Sequence, residues 1–189
     1  VPFHDPKAID LCFDYLNKYP ADLIAKEYVI NEYASVLFDA GLYRDAVAVL
    51  NEILVSGDAT KGSTGITTEA GSRISEYTTD ALSLKYKSLN LLAKETGSRN
   101  YTLQAIETGK LLTSILDRNR MEMSEDESRT NLSDNSRVFY TSLIENYCSL
   151  YLSSEDKGYI ENAFEFSEKS KMSGFLAATR QMNATNFSI

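Results

Sequence analysis

The chain has 189 residues with nine Gly, three Pro and no Trp, which excludes collagen-like and low-complexity disordered polymers and leaves room for one domain or a short repeat array. Its 19 Lys and Arg against 27 Asp and Glu give a net charge of -8 without any basic run, so nucleic acid is not an expected partner. No apolar run reaches the roughly 18 residues of a membrane span, and VPFHDPKAID lacks the basic and apolar blocks of a signal peptide. No membrane contact by this segment and a cytoplasmic location are therefore expected.

Apolar residues recur at helical spacing almost throughout. Helices are expected over residues 5–18, 21–40, 43–56, 72–95, 100–119, 134–153 and 157–183, an all-α chain of about seven helices with no strand. The first carries Cys12 in an apolar pattern and follows His4, the single histidine. The second ends at Asp39-Ala40-Gly41-Leu42, where Gly41 is available for a left-handed cap. In the third, Tyr43, Ala46, Val47, Leu50, Ile53 and Leu54 fall on one helical face.

Residues 56–72 hold four Gly and show no periodicity, so they read as a flexible loop. Within them GDATKGST imitates a phosphate-binding loop, but Lys61 precedes Gly62 instead of following a Gly, and no strand leads in. The helix after this loop carries two apolar stripes, Ile74, Tyr77, Ala81, Leu84 and Leu82, Tyr86, Leu89, Ala93. A helix apolar on two sides packs against neighbours on both, as an internal member of a stack does. An acidic break is expected from Met121 to Asn131, with Ser133 or Asp134 capping the helix that follows.

Three segments repeat: GLYRDAVAVL, SRNYTLQAIETG and DKGYIENAFEFS. Their tyrosines, Tyr43, Tyr101 and Tyr159, recur every 58 residues, and Ala46, Ala105 and Ala163 follow each in turn. Lys7-Ala8-Ile9 is an earlier partial copy. An aromatic at the turn plugs the end of a helix pair and a small alanine lets two helices approach, which are the demands of a helix-turn-helix repeat.

Tyr33-Ala34, Gly41-Leu42-Tyr43, Ala46 and Leu50 occupy the small, glycine, aromatic and alanine positions of a tetratricopeptide repeat, which the chain resembles. Thr141 to Tyr151 followed by KGYIENAFEFSEKSKMSGFLAA is similar to the last repeat of the tetratricopeptide region preceding CHAT domains, which are caspase-like peptidase domains. The likeness covers most of residues 40–189 and is strongest at Ala163 to Leu176. It implies an α-α superhelix of antiparallel helix pairs over residues 1–189, with repeats at 1–20 (partial), 21–56, 72–119 and 134–183. It also implies a following CHAT domain in cis, whose His and Cys would lie beyond Ile189. On that pattern Tyr28, Asn31, Ser35, Phe38 and Asp39 would face the concave groove and meet a protein or peptide.

No catalytic constellation emerges. One His leaves no basis for a His-based metal site or a Ser-His or Cys-His pair, and Cys148 lies on an amphipathic helix where core packing explains it. Two distant cysteines fit a reducing compartment. No cofactor and no enzymatic activity are expected of these residues. Near the end, Ala163, Ser167, Ser170, Gly174 and Ala178 form a small-residue stripe on which Tyr140, Ile144, Tyr147 and Tyr151 are expected to lie. Lys169 and Lys171 are expected to face solvent or nearby acids. Met172, Phe175, Leu176 and Thr179 form a second edge where a further domain would dock. The expected function is a non-catalytic interaction or scaffold module that regulates, or positions substrates for, such a peptidase; the alternative is a sensor binding a small ligand or short peptide in the groove.

Overall fold

The computed structural model describes residues 23–56, 76–122 and 126–186, together with residues 10, 14, 17 and 18, which are helical. Within that set the ordered elements are six helices: α1 (Leu23–Asp39), α2 (Tyr43–Ser56), α3 (Glu76–Thr96), α4 (Arg99–Glu122), α5 (Asp126–Ser154) and α6 (Lys157–Asn186). No strand occurs among the described residues, in agreement with the helical periodicity of the sequence. The 5–18 helix, apart from the residues just named, and the 57–72 loop lie outside the described residues.

The chain divides into two compact units, Val1–Ser98 and Arg99–Ile189. In the first, each of α1, α2 and α3 packs against the other two. Ile30 and Ala34 of α1, Leu50 of α2 and Ala81 of α3 form one cluster in which none is more than 4% exposed, with Val49 and Leu84 packed on its edge. Alanine at the crossing lets helix axes approach toward the short end of the usual 8–10 Å range, to order of magnitude. The second stripe of α3 is buried as well: Leu82, Tyr86 and Leu89 have 0%, 1% and 0% exposure.

In the second unit α5 packs against both α4 and α6. Its buried positions Ser136, Tyr140, Leu143, Tyr147 and Leu150 alternate in steps of four and three, the spacing of a helix that presents a continuous seam. Tyr140 and Tyr147 meet Phe166 of α6 with ring centroids at 6.2 and 5.7 Å, and Tyr147 meets Tyr159 at 6.5 Å. Toward α4, the Tyr140 hydroxyl donates to Asp117 Oδ2 at 2.5 Å. A buried tyrosine brings a large apolar ring and a hydroxyl that needs a partner, and a carboxylate acceptor is a strong one. On α4 the buried hydroxyls are satisfied locally: Thr108 donates to the Gln104 carbonyl at 2.9 Å and Thr113 to the Gly109 carbonyl at 3.0 Å.

Three junctions each turn on a residue of positive φ, the first through a pair of capping bonds and the other two through a single bond to the carbonyl four residues back. After α1, Gly41 adopts φ 76° while its amide donates to the Phe38 carbonyl and the Leu42 amide to the Leu37 carbonyl, the paired bonds of a Schellman cap. After α3, Gly97 adopts φ 64° and donates to the Ala93 carbonyl. After α5 the left-handed residue is Glu155, at φ 56°, and Asp156 then caps α6 by accepting from the Gly158 amide at 2.9 Å. Each repeated tyrosine stands half-buried in the first turn of the helix after such a junction, and Ala46, Ala105 and Ala163 are buried at 0%, 0% and 3% exposure.

One expectation is corrected. The acidic stretch from Met121 to Asn131 is not a break of that length: α4 runs to Glu122 and α5 begins at Asp126, so Ser133 and Asp134 stand inside α5 and do not cap it. Residues 126–134 contain neither Gly nor Pro, and each residue there costs a helix less than about 0.7 kcal/mol relative to alanine. Polarity alone does not end a helix whose apolar seam lies further along.

Candidate interaction surface

On α1 the buried positions Val29, Ile30, Ala34 and Leu37 face the interior of the first unit. Advancing 100° per residue, Phe38, Asn31, Ser35, Tyr28 and Asp39 follow in that angular order within an arc of about 100° beside them. The helix thus brings the five expected groove residues onto one side. They differ in depth: Asp39 is exposed, Tyr28 is 48% exposed, and Asn31, Ser35 and Phe38 are half-buried. Phe38 sits at the edge of the arc nearest the interior, and its ring packs against Tyr43 at 5.3 Å and 60°. It therefore belongs to the α1–α2 turn as much as to any surface, whereas Tyr28 carries aromatic area outward.

The small-residue seam on α6 holds in part. Ala163 is buried and Ser167 and Ser170 are half-buried, while Gly174 and Ala178 have side positions outside the described residues. Two of the four expected partners on α5, Tyr140 and Tyr147, are buried there, and Ile144 and Tyr151 are half-buried. What fills the seam is Phe166, which stacks on Tyr147 at 24° and is 6% exposed. Phe164, two residues earlier, is 67% exposed, and Ile160, one turn before it, is 40% exposed. Residues two apart on a helix point about 200° away from each other, so of Phe164 and Phe166 only one can face α5. The two-residue spacing of Phe164 and Phe166 is the sequence signal that one of the two rings points outward.

The two lysines of that stretch are held along their own helix. Lys169 Nζ lies 2.6 Å from Glu165 Oε1 and 4.9 Å from the Phe166 ring centroid, and Lys171 Nζ lies 2.6 Å from Glu168 Oε1. The hydrogen bond and charge of Lys169, with a further pull from Lys110, hold the Glu165 carboxyl below the ordinary glutamate range. Burial first, then the charges of Glu165 and Tyr159, push the Tyr147 phenol above its ordinary range. Arg99 donates to the Tyr159 hydroxyl at 2.9 Å with its guanidinium 5.7 Å from the ring centroid, so α4 and α6 reach each other through side chains.

The expected docking edge Met172, Phe175, Leu176 and Thr179 lies on the helical course of α6, but these side chains are outside the described residues, as are His4, Cys12 and the Gly57–Thr64 stretch. Cys148 is a half-buried free thiol. Among the described residues no group of three His, Cys, Asp or Glu is placed to hold a metal ion, and no helix is long and apolar enough to cross a membrane. The arrangement offers packing surface and paired charges along helices. Comparison with protein-family models, with curated proteins and with solved structures finds no match to the chain.

Proposed function

We propose that residues 1–189 are a non-catalytic protein-interaction and scaffold module, built as one superhelical array of antiparallel, tetratricopeptide-like helix pairs at 21–56, 72–119 and 134–183. The observation that carries this reading is the threefold junction: a left-handed residue, a helix opening with a half-buried tyrosine, then a buried alanine, at Gly41/Tyr43/Ala46, Gly97/Tyr101/Ala105 and Glu155/Tyr159/Ala163. A unit that recurs with a left-handed turn residue, an aromatic plug and a close-approach alanine meets the demands of stacked helix pairs, the turn residue standing two residues before Tyr43 and four before Tyr101 and Tyr159. Such stacks expose long helix faces to partners, and the arc on α1 with Tyr28, Asn31, Ser35 and Asp39 is the face assigned to a protein or peptide, with Phe38 at its rim.

The regulatory role toward a CHAT peptidase domain rests on the likeness of residues 141–176 to the repeat that precedes such domains, and a cytoplasmic location goes with it. Sequencing the gene beyond the codon for Ile189 and assaying the longer product tests it. The reading expects a caspase-like His and Cys in the continuation and proteolysis that disappears when that Cys is replaced by Ala. A continuation with neither residue removes the peptidase assignment. Thermal-shift screening of the 1–189 chain addresses the sensor alternative: a small molecule that raises the melting temperature in proportion to RT ln(1 + [L]/Kd) favours it over a peptide or protein partner.

A further inference from the structure

We draw no further inference here: the strongest candidate, the outward face of α6 that exposes Ile160 and Phe164, has nothing in the structure to show what covers it.

Discussion

The two units solve the same packing problem with different side chains. In residues 23–98 three helices meet pairwise, and the point where they meet is small and aliphatic: Ile30, Ala34, Leu50 and Ala81. In residues 99–186 one helix, α5, packs between two others, and its contacts are aromatic on the α6 side and capped by a tyrosine hydroxyl on the α4 side. On the proposed array α1 and α3 are first helices of successive pairs, and α4 and α6 are second helices. First helices then touch through alanines, while second helices are bridged by a long pair, Arg99 to Tyr159. Small aliphatic side chains meet at the centre of the first unit, and ring area and polar ties join the helices of the second.

That contrast can be broken from both ends. Phe166→Ala removes the ring that Tyr140 and Tyr147 share and should cost about 3–5 kcal/mol in denaturant unfolding. Leu50→Ala in the first unit should cost about 2–5 kcal/mol, with the larger values expected if the alanine-lined site cannot collapse. If Phe166→Ala costs less than 1 kcal/mol, as an order-of-magnitude threshold, the aromatic seam is not what holds the second unit. Next in size is Tyr140→Phe, which keeps the ring and removes the donor to Asp117. It should cost about 1.5–3 kcal/mol, the range for hydrogen bonds to charged groups.

The turns offer a smaller and sharper comparison. A Cβ at Gly41 would meet nothing within 4 Å, so Gly41→Ala carries only the left-handed penalty of about 1–2 kcal/mol less the unfolded-state entropy of glycine, a net loss of about 0.5–1 kcal/mol. Glu155 already bears that strain, so Glu155→Gly should be stabilising by about 0.5 kcal/mol once the extra unfolded-state entropy of glycine is subtracted. Opposite signs for the two substitutions are expected in paired chemical denaturations; a loss at both positions would contradict the left-handed conformation common to them.

The smallest effect is confined to alkaline pH. The folded chain holds the Tyr147 proton more tightly than the unfolded chain does, because burial, Glu165 and Tyr159 disfavour the phenolate. Its contribution is complete below the ordinary phenol value of about 10 and is lost as pH rises through the raised folded value. Tyr147→Phe should therefore flatten the decline of stability above that pH, measured as melting temperature against pH, and leave the neutral region unchanged in slope.

Much of this architecture is legible from residue types. The repeated Tyr and Ala mark the helix openings and their buried contacts, and Gly41 marks its cap, because each answers a local steric demand that few other residues meet. The start of α5 is not legible, since residues 126–134 lack Gly and Pro and are neutral enough in propensity to follow the seam downstream. Glu155 in a left-handed conformation is equally hidden: a glutamate signals no turn, and only the 58-residue step from Gly97 points to it. For the α1 face, the helix period places five residues on one side, but it does not reveal that Phe38 is drawn into the turn by Tyr43 while Tyr28 stays outward. Depth on a helix face depends on the neighbour that covers it, which a single helix's sequence does not encode.

Amide hydrogen exchange of residues 28–39 and 172–179, in the 1–189 chain alone and in the longer product that the proposed CHAT linkage calls for, tests the interaction-module account most directly. The account predicts slower exchange in the longer product at one or both of these segments, where the α1 face or the late α6 edge is covered, with the buried seam at 140–150 unchanged. Identical exchange at both segments, in a product whose following domain is folded, would contradict it.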